Sequence, residues 1–495
     1  MHARHFLGVG LLLVLAVVAG CGGSGSSIST GSSGNAFVFI GDAPPVGSTV
    51  LKFEITLSGA VFCPEVSGTG ECLGSPQPSL INQPVEIELE QLELESAFLN
   101  LASIPAGNYP NGGVKLTFAN PELKLLLSDG SVTPELKPPL NPASVTPKFS
   151  GGLTVTANTN FGFLIDFNVS DSIQSSGNTV TGISPMITLV KLPAVAQQNI
   201  EELEVTGKVS NLSKNCPTGS FTLIESVTGL PIANIQFDGT TDFEDGLTCT
   251  NFANDQTVEL DLELRAGANL QSAQFFAEEI EPVNEPNEKE AEGPVFQVNN
   301  PNQFVLVVRE EENAPNLPLG SFLTVNILGS TQFRIDDDGL PIGSLSFANG
   351  NHLLAGQTVE VDIANNTLVV PTAGCGTIGN CTATAEKVRL EKGTITGRVA
   401  STNTPNFTID QLPSIFGSAI TNLRPMSADC QLCFVNTILV NTSSQTEFES
   451  PLAGVSGLAT NNIVTVRGLL FKGGFAGPSP GSGQPTLVAK KVRKL

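Results

Sequence analysis

The sequence contains no Trp, one Tyr and three His in 495 residues. His2 and His5 sit at the extreme N-terminus, which leaves His352 as the one His in the body of the chain. Ser and Cys triads need a His base beside the nucleophile, so this chain has almost no material for one. His352 lies in Asn349-Gly350-Asn351-His352-Leu353-Leu354, which reads as a surface turn entering a strand. Sugar sites commonly stack rings on Trp or Tyr. Here the aromatics are nearly all Phe, 28 of them, and Phe in strand alternation fills cores. Lectin-like binding is correspondingly disfavoured. Basic residues are scarce too: 24 Lys and Arg stand against 47 Asp and Glu, a formal net charge of −23. Such a surface repels phosphate backbones, so nucleic acid is not the expected partner. No long amphipathic helical pattern is visible.

What is present points to strands. Gly and Pro are abundant, at 50 and 33 residues. Short runs of Val, Thr, Ile, Phe and Leu alternate with polar residues, which is an all-β signature with many turns. The length allows three or four domains.

The N-terminus sets the expected compartment. Residues 1–5 are weakly positive, and Phe6 to Ala19 is almost unbroken apolar sequence, too short to span comfortably and of signal-peptide length. It ends in Val18-Ala19-Gly20-Cys21, which resembles the lipobox of bacterial lipoproteins. The resemblance implies cleavage after residue 20, diacylglycerol on the Cys21 sulfur and N-acylation, including palmitate. Two or three acyl chains give stable anchoring where one is marginal. Residues 21–35 then form a Gly/Ser-rich tether. Gly22 carries no inner-membrane retention signal, so an outer-membrane anchor is expected, with the folded part periplasmic or surface-exposed.

Eight further Cys fall into sequence-local pairs: Cys63 and Cys72, Cys216 and Cys249, Cys375 and Cys381, Cys430 and Cys433. An exported chain meets an oxidising compartment, so four disulfides are expected. Eight Cys allow 105 connectivities, and locality favours this set. Cys430-Gln431-Leu432-Cys433 has C-x-x-C spacing, but neither a βαβ setting for redox work nor further zinc ligands accompany it.

The second half repeats. VTGKV (Val205–Val209), a weaker Gly293-Pro294-Val295 and ITGRV (Ile395–Val399) open three units. Each then has a strand-like run beginning at Phe221, Phe304 or Phe407 and a Thr-x-Phe signature at Thr241, Thr331 or Thr446. Alternating strands follow around Val258, Val359 and Val464, and the units close on Ala277-Glu278-Glu279-Ile280, Ala385-Glu386-Lys387-Val388 and Ala489-Lys490-Lys491-Val492. Each unit is large enough to fold as a domain. It resembles a small β-barrel family of unknown function that recurs in tandem in bacterial exported proteins. That resemblance implies a five- or six-stranded barrel similar to an oligonucleotide/oligosaccharide-binding fold. The units run 203–280, 293–391 and 393–495, with an acidic, extended linker at 281–292. Residues 36–193 carry Asp42-Ala43-Pro44, Pro105-Ala106-Gly107-Asn108-Tyr109 and a late strand ending near Pro185. In that order they resemble another bacterial lipoprotein domain family of unknown function. The strand pattern predicts an antiparallel β-sandwich of seven or more strands.

Other motifs offer little chemistry. Gly477-Pro478-Ser479-Pro480-Gly481 has nucleophile-elbow spacing, yet its prolines forbid the helix that must follow, leaving a hairpin loop. Asp336, Asp337 and Asp338 before Gly339 form the best cation candidate, calcium being the expected ion, with Asp238, Asp242 and Asp245 a looser set. Neither has the spacing of an EF-hand loop. Lys490, Lys491, Arg493 and Lys494 read as an exposed final strand. The expectation is a membrane-anchored, non-enzymatic envelope module that binds or scaffolds. The alternative is a surface adhesin for glycan or protein, stabilised by calcium, with a carboxylate-based hydrolase ranked third. Short Pro-containing linkers predict a semi-extended string of domains.

Overall fold

A computed structural model describes residues 32–43, 49–92, 96–126, 133–176, 179–192, 199–224, 231–243, 246–265, 274–283, 289–314, 316–337, 339–372, 374–410, 437–449, 452–473 and 485–494. Cys21, the Cys430/Cys433 pair, Asp338, Asp245 and the 477–481 loop lie outside them.

The N-terminal unit is two four-stranded sheets face to face. Its principal strands are β1 (Ser33–Ala43), β2 (Thr49–Cys63), β3 (Val85–Glu88), β4 (Ser96–Pro105), β5 (Gly113–Leu126), β6 (Ser144–Val145), β7 (Asn160–Asn168) and β8 (Ile187–Lys191). One sheet has the order β8-β7-β1-β4 and the other β3-β2-β5-β6. Every second residue points inward, so Val38, Ile40, Phe53, Ile55, Phe163 and Phe167 meet in one core. The sandwich departs from pure antiparallel pairing at its centre. There β1 and β7 run parallel, from Asn35 opposite Asn160 to Ala43 opposite Asn168. The Pro-Ala-Gly-x-Tyr turn closes on itself: the Tyr109 hydroxyl donates to the Pro105 carbonyl at 2.7 Å, and its ring packs edge-on against Phe62.

Three closed five-stranded barrels follow. The first comprises β9 (Asn199–Asn215), β10 (Thr218–Ile224), β11 (Pro231–Phe237), β12 (Thr257–Arg265) and β13 (Gln274–Pro282). The second comprises β14 (Lys289–Asn300), β15 (Gln303–Val307), β16 (Phe322–Ile335), β17 (Thr358–Ile363) and β18 (Cys381–Glu391). The third comprises β19 (Gly393–Asn403), β20 (Asn406–Asp410), β21 (Ile438–Asn441), β22 (Ile463–Phe471) and β23 (Thr486–Lys494). In each, neighbours follow the order one-two-three-five-four, closed by four on one, with three and five parallel. Closure removes the sheet edges that would otherwise invite pairing with another chain.

The sequence signatures have a common structural cause. In every barrel the Thr of Thr-x-Phe donates to the carbonyl of the closing signature's Ala. The bonds are Thr241 to Ala277 at 2.7 Å, Thr331 to Ala385 at 2.8 Å and Thr446 to Ala489 at 2.7 Å. The same hydroxyl accepts from a backbone amide three residues upstream, at Asp238, Leu328 and Ser443. The residue after that Ala is the extra residue of a β-bulge each time, namely Glu278, Glu386 and Lys490. The second barrel's weak opening signature is a full strand. Gly293 sits there at φ +149°, and a Cβ would come within 2.0 Å of the Val307 carbonyl, so only Gly fits.

Among the described residues three disulfides are formed, Cys63–Cys72, Cys216–Cys249 and Cys375–Cys381. The expected extended linker carries strand at both of its described ends, since Glu281 and Pro282 end β13 and Lys289 to Glu292 open β14. The expected exposed final strand is instead β23, paired with β22 and β21 inside the third barrel. Lys491 and Arg493 both hold Glu449, and Lys490 holds Glu278.

The four units do not form a string. Phe275 of the first barrel packs on Phe37 and Phe98 of the sandwich, with ring centroids 6.1 and 5.4 Å apart. Arg309 of the second barrel donates to the Val50 and Leu51 carbonyls of the sandwich at 2.9 and 3.0 Å. Gln357, fully buried, donates to the Leu470 carbonyl of the third barrel at 2.9 Å. Phe296, Val305 and Phe322 of the second barrel share a core with the third. Linker composition gave no sign of these interfaces, because their apolar side chains alternate with polar ones like any core strand.

Candidate functional site

A cleft of about 180 Å³ opens where all four units meet. The three barrels present the same face to it, the outward side of their first and fourth strands. Thr206 opposite Glu259, Glu292 opposite Glu360, and Thr394 opposite Arg467 are paired across those strands, and all six line the cleft. The sandwich adds the segment around Glu90 and Ser96. Ten carboxylates and four cations line it in total.

Arg389 on β18 is the hub. Only 7% of its side chain is exposed. It reaches Glu360 at 2.7 Å, Glu391 at 3.0 Å, Glu281 at 3.3 Å and Glu279 at 3.8 Å. Burial works against its charge, but Glu391, Glu360 and Glu281 outweigh it and push the guanidinium pKa further up. Glu279 and Glu281 belong to the first barrel and the other two to the second, so one side chain ties two domains. Lys392 ties the same two barrels at the point where the chain passes to the third. It is the single residue between β18 and β19, 4% exposed, and it pairs with Asp336 at 3.0 Å and Asp261 of the first barrel at 3.7 Å.

These surroundings split the carboxylates. Burial, followed by repulsion from Asp336 and Asp261, pushes Glu279 up to about 11. Glu281 rises well above the usual range through burial and the nearby Glu259 charge, and Glu391 rises through burial against the pull of Arg389. Burial also pushes on Asp336, but Lys392 beside it prevails and holds it below the usual range. The junction therefore holds a mixture of neutral and ionised acids at neutral pH.

Ser96, at the start of β4, lines the same cleft at 2% exposure, and its hydroxyl has no hydrogen-bond partner. A buried hydroxyl left unsatisfied costs free energy, so it marks a place where something polar fits.

The sites expected from sequence are dispersed. Asp336 is taken by Lys392, while Asp337 accepts from the Gly339 amide and closes its own turn. In the looser set, Asp238 holds Arg265 and Asp242 accepts from the Phe243 amide. Among the described residues no three His, Cys, Asp or Glu side chains converge as a metal cage. His352 is in a short turn, its Nδ1 accepting from the Ala348 amide, with its pKa lowered by burial and by Lys472. Sequence reading missed Glu279, Glu281, Arg389 and Lys392. The first three are charged residues in strand alternation and look like solvated outward positions, and Lys392 looks like a linker residue. The one available signal was that Glu279 and Glu281 of the first repeat align with the charged Lys387 and Arg389 of the second.

No protein-family model matches the chain, and no curated protein matches it. Among solved structures it is similar to a chain described as "drosophila Unr CSD456", at 10% identity and a TM-score of 0.13, covering 59% of this chain and 97% of that one.

Proposed function

We propose that the chain is a lipid-anchored envelope protein, held by Cys21, that acts as a non-enzymatic scaffold or binding module. The observation that carries this reading is the junction. Four domains are fixed to one another by Arg389, Lys392, Arg309 and Gln357, each buried or nearly so. Rigid docking of this kind suits a module that presents surfaces at set distances. The three disulfides fit an oxidising compartment. The same cleft speaks against the carboxylate hydrolase. A general acid trades protons best when its pKa lies near the working pH, and Glu279 at about 11 keeps its proton. The adhesin reading shares the anchor and differs in the side of the membrane that the barrels face.

The test is radiolabelled palmitate fed to cells expressing the full chain or its Cys21→Ala variant. The labelled wild type should sediment with the outer membrane, and the variant should lose label and appear in the soluble periplasmic fraction. A wild type that takes no label would end the lipoprotein reading. Protease digestion of intact cells then separates scaffold from adhesin: release of barrel peptides favours the adhesin and protection favours the scaffold.

A further inference from the structure

We propose that the four-domain cleft binds a small organic polycation, of the di- or triamine class. This names a ligand class for the module proposed above and rests on that reading. Acidic groups outnumber basic ones at the cleft, ten to four, and seven carboxylates still face four cations with Glu279, Glu281 and Glu391 protonated. The resident cations are committed. Arg389 is spread over Glu360, Glu391 and Glu281 at 2.7 to 3.3 Å, while Glu279 stands 3.8 Å from it. A hard metal ion needs several oxygens converging on one point, and none of the described residues form such a set. A flexible chain with separated ammonium groups meets dispersed carboxylates without requiring them to converge. Each primary ammonium brings three donors and no acceptor, which suits a lining dominated by acceptors. The Ser96 hydroxyl, 2% exposed and unpartnered, supplies an oxygen from the sandwich to the same cleft. A volume of about 180 Å³ leaves room for an extended small amine.

Burial and the proximity of Asp336 and Asp261 keep Glu279 neutral. An ammonium group placed beside it would favour the ionised form, so binding should expel a proton and tighten as pH rises.

The experiment is calorimetric titration of the full mature chain with spermidine and putrescine, in two buffers of different ionisation enthalpy at near-physiological salt. The proposal predicts one saturable site, heat that depends on the buffer because a proton is released, and affinity that rises with pH. Glu279→Gln should weaken binding about tenfold or more and remove the buffer dependence, with Ser96→Ala weaker than wild type. Glu386→Gln, at the exposed bulge residue of the second barrel and outside the cleft lining, should bind like wild type. Melting curves confirm that each variant is folded. Absence of saturable heat would overturn the proposal. So would an equal loss in Glu386→Gln, which means diffuse attraction to an acidic surface, and so would Mg²⁺ displacing the amine at equal concentration, which means a metal site. Amine binding without palmitate labelling overturns the location alone, and labelling without amine binding overturns this inference alone.

Discussion

At the residue scale, the chain depends on charged side chains removed from water. A buried charge is tolerated when partnered and strongly unfavourable when stripped of its partners, and Arg389 has four carboxylates around it. Glu279 shows the other outcome, remaining neutral. Its pKa is about 11 in the folded chain against an ordinary 4.5. Between those values the folded state keeps a proton that the unfolded state gives up, so its contribution to stability falls as pH rises across that window. Asp336 and Glu449, held below the usual range, lose their contribution only in acid and do not affect the slope at neutral pH. Glu54, raised to about 7 by burial and its bond with Glu86, adds to the decline up to that point. The melting temperature should therefore drop from pH 6 to pH 9, and Glu279→Gln should make that drop shallower without abolishing it. An unchanged slope in the variant would mean that Glu279 is ionised in the folded state.

At the element scale, the repeat was legible because its signatures touch. Thr-x-Phe and the closing Ala are far apart in sequence, yet one hydrogen bond joins them in each barrel. A Thr whose hydroxyl both accepts and donates cannot drift to Val without leaving two backbone groups short. Thr331→Val keeps the shape and should cost about 1–3 kcal/mol, read by denaturant unfolding. A cost near zero would show that water replaces the hydroxyl. The second barrel's opening strand was harder to read, because Gly293 and Pro294 look like turn residues although Gly293 is there to let the Val307 carbonyl approach. A second device escaped the sequence entirely. Gln256, Gln357 and Asn462 each accept from a backbone amide three residues earlier, at Ala253, Leu354 and Ala459, and so fix the turn before the fourth strand. Gln and Asn are interchangeable in this role, so no shared letter marked it.

At the scale of the whole molecule, composition and alternation were enough for the all-β class, the repeated signatures for three units, and the family resemblance for their being barrels. They could not give the packing of those units. Alternation tells inside from outside for one strand but says nothing about what covers the outside. Thr396 and Thr465 illustrate this: both look like solvent-facing partners on β19 and β22, yet they are 3% and 0% exposed, with hydroxyls 3.0 Å apart. Likewise Asp336-Asp337-Asp338 looked like a cation loop because a run of acids is visible in sequence and the distant Lys392 that claims the first of them is not.

The central claim is that the four domains form one body around a shared charged cleft. Small-angle X-ray scattering of the mature chain without its lipid tests this most directly. A single compact body of this length should have a radius of gyration near 23 Å, as an order-of-magnitude value, slightly larger with the tether. That value should hold from low to high salt, since the interfaces also rest on buried Phe275, Phe296 and Phe322. A radius roughly twice as large, or a profile with several separated maxima in its distance distribution, would mean a string of independent domains and would contradict the account.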